Sequence, residues 1–200
     1  MPVAGVLPVL HTPYAPDGAI DQDALAREVD WAYQTGADGI VLALASDLLR
    51  LTPAERLAYP ARLAELNRRR GHLVISVGAE TTGDAVRYAR SAAQAGATAV
   101  MAIPPVSSVL SEPAQLDYFR AIADAVPLPL IVQDASGYVG RPMTTEFQAG
   151  LLQRYGPDKV LFKPEGEDPR PQITALLAAT GGQARVLDGS GGIHLVDAHR

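Results

Sequence analysis

A cycle that repeats about every 30 residues does most to restrict how this chain folds. Each turn of the cycle is a short apolar run, a loop, and then a stretch with the apolar spacing of an amphipathic helix. The spacing predicts strands over residues 5–10, 38–45, 72–78, 98–103, 129–132, 160–163 and 185–187. Helices are predicted over 22–35, from 52 to about 70, and over 82–95, 112–125, 144–155 and 171–180. Two of these helices announce their starts. Asp21 stands at an N-cap position ahead of Leu25, Val29 and Ala32, and Thr52-Pro53-Ala54-Glu55 has the capping-box pattern with proline at the first helical position.

Strands that are apolar throughout, not alternating, are covered on both faces, which implies a parallel sheet flanked by helices. An open doubly wound sheet would carry a glycine fingerprint after its first strand, and none is present. The pattern therefore predicts an α/β chain of the TIM (β/α)8 barrel type. Eight βα units typically need about 250 residues. The 200 residues here end inside what would be the seventh helix, so the expectation is a single barrel domain over 1–200, truncated after the seventh strand and lacking the eighth unit.

Within that frame, Lys159-Val160-Leu161-Phe162-Lys163-Pro164-Glu165 places an amine at the C-terminal end of a strand, the face on which barrel enzymes carry their chemistry. The chain has 17 basic residues, of which Lys159 and Lys163 are the two lysines. A guanidinium stays protonated and does not attack carbonyls, whereas a desolvated ammonium loses its proton and becomes a nucleophile. Lys163 is thus a candidate Schiff-base residue. The alternative is a strand-end lysine reaching out to solvent.

Composition narrows the partners. A net charge of −5 and a pI near 5.3, with scattered arginines, argue against nucleic acid or an anionic membrane surface and for a small-molecule partner. The chain has no cysteine, which excludes disulfides and thiolate metal sites. No leader pattern or 18-residue apolar run occurs, so a cytoplasmic protein is expected. Asp47, Glu80, Asp134, Glu165 and Asp188 fall just past predicted strand ends, which leaves a magnesium- or manganese-dependent barrel enzyme as a rival reading. Carboxylates in such loops are also ordinary helix caps. The four histidines form no HExxH, and His194 and His199 are read as surface residues. Gly189-Ser190-Gly191-Gly192 follows the seventh strand, either as a binding loop or as a tight turn.

Thr12-Pro13-Tyr14, Asp17-Gly18-Ala19-Ile20-Asp21, Gly36-Ala37-Asp38-Gly39-Ile40 and Leu51-Thr52-Pro53-Ala54-Glu55-Arg56 match, in order and spacing, the dihydrodipicolinate synthase/N-acetylneuraminate lyase family. Ala95-Gly96-Ala97, Pro104-Pro105, Leu128-Pro129-Leu130 and Phe162-Lys163-Pro164-Glu165 extend the resemblance through the chain, with Lys163 where the family carries its Schiff-base lysine. The resemblance implies a barrel lyase that needs no cofactor or metal, acts on a 2-oxo acid and forms a homo-oligomer. It implies catalytic roles for Lys163 and Gln133. The backbone at Ala45 and Ser46 is the candidate binder of the substrate carboxylate, with the Ser46 hydroxyl as a further donor, while Ser46 reads equally as a loop or helix-cap residue; Gly189 is a further substrate-binding candidate.

Several positions depart from the family. Ala43-Leu44-Ala45-Ser46-Asp47 replaces a Gly-Thr-Thr-Gly-Glu loop, Val106-Ser107 replaces paired tyrosines, Gln133-Asp134 replaces a Tyr-Asn pair, and Tyr138 replaces an arginine. Gln133-Asp134 and Lys163-Pro164-Glu165 resemble the 2-keto-3-deoxy sugar-acid dehydratase branch, which predicts dehydration or aldol cleavage of such an acid. The alternatives are a synthase-like condensation using pyruvate and a noncatalytic relative that binds a 2-oxo acid. An amide cannot cycle a proton as a phenol does, so the relay needs another member, with Asp134, Tyr138 and Glu165 as candidates.

Overall fold

The computed structural model describes residues 2–136, 142–165 and 168–193. Its elements are α1 (Gln22–Gln34), β1 (Gly39–Leu42), α2 (Pro53–Asn67), β2 (His72–Ser76), α3 (Thr82–Ala95), β3 (Ala99–Ala102), α4 (Glu112–Ala125), β4 (Leu130–Asp134), α5 (Thr145–Tyr155), β5 (Val160–Pro164) and α6 (Arg170–Ala179). β1 and β2 pair in parallel with Gly39 opposite His72, and β4 and β5 pair in parallel with Leu130 opposite Val160. No described helix is long and apolar enough to cross a membrane.

Two compact units divide the chain, Met1–Val77 with Arg87–Val100, and Gly78–Val86 with Met101–Arg200. In the first, Asp21 caps α1 by accepting from the backbone N–H groups of Asp23 and Ala24, and Leu25, Val29 and Ala32 are its buried face. Gly36, at φ +95°, takes the left-handed conformation that ends the helix turn. Thr52 and Glu55 close the capping box that starts α2. Ile40, Leu42, Leu63, Leu73 and Val74 fill the core, each contributing about 1.5–3 kcal/mol by its removal from water.

The second unit is built around aromatic packing. Tyr118 and Phe119 meet edge to face at 5.4 Å, and Phe119 meets Phe147 at 6.1 Å. Leu130, Ile131, Val132, Val160, Leu161 and Phe162 are buried beside them, as expected of strands covered on both faces. Lys159 Nζ donates to the carbonyls of Val126 and Leu128 at 2.5 and 2.6 Å, fixing the turn that leads into β4.

The structure corrects the predicted strands in three places. Residues 5–10 make only a single parallel bridge, Val9 to Val41, with Leu10 N–H donating to Val41 and Val41 N–H to Pro8. The next rung would need an N–H from residue 8, and proline has none. Residues 185–187 likewise reduce to one bridge, Val186 to Phe162. The strand predicted over 38–45 stops at Leu42, because the Ala43 N–H donates to Ser46 Oγ at 3.0 Å and winds the chain into short 3-10 turns, Leu44–Ser46 and Leu48–Arg50.

Candidate active site

The parallel register of β4 and β5 sets Gln133 directly opposite Lys163. Neighbouring side chains at matched positions point to the same face of a sheet, so the amide and the amine stand side by side near the C-terminal strand ends. Glu165 lies two residues beyond Lys163 and so projects to that face too. Its Oε1 pairs with Lys163 Nζ at 3.0 Å, while its Oε2 accepts from Gln133 Nε2. The Lys163 and Glu165 side chains are 14% and 19% exposed, and Gln133 is buried. The result is an amine and a carboxylate in contact within a largely dry setting, where electrostatic interactions are strong.

Asp134 has a different use. Its carboxylate accepts the Ser136 and Met143 N–H groups at 3.0 and 2.9 Å, and it points away from the face that carries Gln133. A cavity of about 310 Å³ on that other side is lined by Pro104, Pro105, Glu112, Asp134 and Thr144, and neither Lys163 nor Gln133 lines it. The third relay candidate, Tyr138, lies outside the described residues, as do His194 and His199. Among the candidates in view, Glu165 alone touches Lys163. The signal in the sequence was its i+2 spacing from the lysine.

Gly189 sits against the same strand end. A β-carbon there would come within 2.7 Å of the Pro164 carbonyl oxygen and 3.1 Å of the Glu165 side chain, so only glycine fits without displacement. Asp188 turns back to accept from the Ser190 N–H and hydroxyl, both at 2.8 Å.

In the first unit, Ser46 is fully buried and its hydroxyl is committed, donating to the Leu10 carbonyl while accepting the Ala43 N–H. The Ser46 N–H donates to Ala43, and the Ser46 carbonyl accepts from Thr12 Oγ1 at 2.5 Å. Tyr59 reaches Thr12 at 3.4 Å, and burial pushes its phenol up. Ser46 thus has the loop-fixing role that the sequence left open, and its hydroxyl proton is spent inside the fold. Ala45 is exposed beside it.

The remaining carboxylates of the metal reading each have protein partners. Asp47 pairs with Arg50 at 3.3 Å, and Glu80 accepts from the Val106 and Ser107 N–H groups and from the Ser107 hydroxyl. Among the described residues no three metal-ligating side chains gather.

The fold is shared with a dihydrodipicolinic acid synthase family prophage protein of Escherichia coli K12, solved in complex with pyruvate. The two superpose with a TM-score of 0.91 at 23% identity, over 98% of this chain and 66% of that one. The arrangement is that of a parallel α/β barrel protein with an amine at one strand end. The model of the dihydrodipicolinate synthetase family matches residues 2–158, and the chain belongs to that family.

Similar curated proteins include the N-acetylneuraminate lyase of Rhizobium meliloti, 35% identical over 66% of this chain and 44% of its own length. The 4-hydroxy-tetrahydrodipicolinate synthase of Pelobacter propionicus is 27% identical over 92% of this chain and 63% of its own length. The chain therefore spans about half to two thirds of the relatives it matches. The family match ends at residue 158, ahead of Lys163, whereas an alignment covering 92% of the chain runs through it.

Proposed function

We propose that this chain carries the imine-forming machinery of a class I lyase that acts on a 2-oxo acid, with Lys163 as the Schiff-base residue. The observation that carries the reading is the contact of Lys163 Nζ with Glu165 in a mostly buried setting at the end of β5. The unprotonated amine attacks the C2 carbonyl, the N–C bond forms, and the carbonyl oxygen leaves as water. Of the three ammonium protons, two depart in that water and one stays on the iminium nitrogen. Glu165 touches the reacting nitrogen and is placed to take a proton from it and return it to the departing oxygen.

The iminium then withdraws electrons from C3. Loss of a C3 proton and expulsion of a C4 hydroxyl gives dehydration, and rupture of the C3–C4 bond gives aldol cleavage. Gln133 holds an amide where a relay phenol would stand, so proton movement falls to Glu165. This combination supports a 2-keto-3-deoxy sugar acid as the substrate. Condensation of a pyruvate enamine with an aldehyde uses the same intermediate, and relatives named as synthases keep it as the second reading. Membership of the family also supports a cytoplasmic homo-oligomer.

The test is borohydride trapping with pyruvate and with 2-keto-3-deoxy sugar acids, read as intact mass and adduct position. A substrate-dependent adduct on Lys163, absent in Lys163→Arg, is expected. A folded protein that traps none of these acids overturns the reading and leaves a noncatalytic relative in its place.

A further inference from the structure

The two ends of the Gln133 amide are treated differently. Its Nε2 donates to Glu165, and a carboxylate only accepts, which fixes the nitrogen towards Glu165 and turns Oε1 the other way. Gln133 is 1% exposed, and among the described residues its Oε1 has no hydrogen-bond partner. A buried amide oxygen loses its hydration without compensation until a donor reaches it. Gln133 stands opposite Lys163 in register and both bind Glu165, so a molecule joined to Lys163 would lie beside this amide.

We propose that Gln133 Oε1 accepts a hydrogen bond from a hydroxyl on the substrate's carbon chain, so that the site selects hydroxylated 2-oxo acids over their deoxy counterparts. This rests on the imine reading above. A site built to pair with a hydroxyl discriminates against the analogue that lacks it, because its own buried polar atom is then left unpaired. Glu165 acts here as the group that orients the amide. Without its grip on Nε2, the amide is free to flip and present a donor in place of an acceptor.

The experiment compares 4-hydroxy-2-oxopentanoate with 2-oxopentanoate, measuring the rate of borohydride-trapped adduct formation on the full chain and on Gln133→Met. Folding of each protein is checked by circular dichroism. The wild type is expected to favour the hydroxy acid by about tenfold, and Gln133→Met to lose that preference. Loss of the Glu165 contact in the variant affects both acids, so the ratio isolates the acceptor. Gln133→Asn, which keeps the amide but withdraws it by one methylene, is expected to lose the preference as well and serves if Gln133→Met does not fold. Equal trapping of both acids by the wild type, or an unchanged ratio in the variants, overturns this proposal alone. Trapping of neither by the folded wild type overturns the imine reading with it.

Discussion

Lys163 and Glu165 are separated by a single proline, yet their side chains meet at 3.0 Å, because positions two apart at a strand end project to one face. Replacing Glu165 by glutamine keeps a side chain of the same shape and removes its capacity to carry a proton. Glu165→Gln is expected to slow adduct formation by about 10²–10⁴-fold, the usual worth of a positioned acid or base, while the fold is retained. Rapid-quench borohydride trapping measures the rate. A variant as fast as the wild type would remove Glu165 from the proposed proton path.

Gly189 offers a test of packing at the same strand end. In Gly189→Ala the added methyl meets the Pro164 carbonyl oxygen, a backbone atom that cannot swing aside. Overpacking of this kind costs about 1–3 kcal/mol. The expected result is a lower denaturant midpoint together with slower trapping at Lys163, since Glu165 is also displaced.

The hydroxyl of Ser46 ties the Leu10 segment to the turn over residues 43–46. Removing it in Ser46→Ala leaves the Leu10 carbonyl and the Ala43 N–H without their partner, a loss of about 1–3 kcal/mol for buried groups. Equilibrium urea unfolding reads this directly. No change in stability would show that the loop is held by other contacts.

Acid should loosen the second unit at Glu80. The hydrogen bond from the Ser107 hydroxyl, helped by the Val106 and Ser107 N–H groups, holds its carboxyl below the usual 4.5. A carboxyl depressed in the folded state contributes stability that is present above the unfolded value and is lost as pH falls through the folded one. The amides of Val106 and Ser107 should therefore lose exchange protection as pH drops below about 4.5, after correction for intrinsic rates. Glu80→Gln should show much of that loss at neutral pH.

Much of this arrangement was legible in the chain. The caps at Asp21 and Thr52 and the buried triplet Leu25, Val29 and Ala32 follow from local chemistry, and they stand as expected. So do the limits of α4 and the placement of Lys163 near the end of β5. The two peripheral strands were read as strands from composition, but composition does not count rungs, and Pro8 withholds the donor that a second rung requires. The role of Ser46 was open because a serine in a turn reads alike as ligand donor or loop brace until its partners are known. Asp134 and Glu165 were equal candidates by position. What separated them is the alternation of the strand, which sends one to backbone N–H groups and the other to an amine.

The two primary amines of the side chains are spent in opposite ways. Lys159 is lodged against two carbonyls and serves as a fastener, while the nitrogen of Lys163 is shared with one carboxylate. A chain that carries its other fifteen positive charges as arginine is nearly silent towards amine-directed reagents. A reagent aimed at the proposed imine-forming nitrogen of Lys163 thus meets few competing side-chain amines, with Lys159 engaged by two carbonyls.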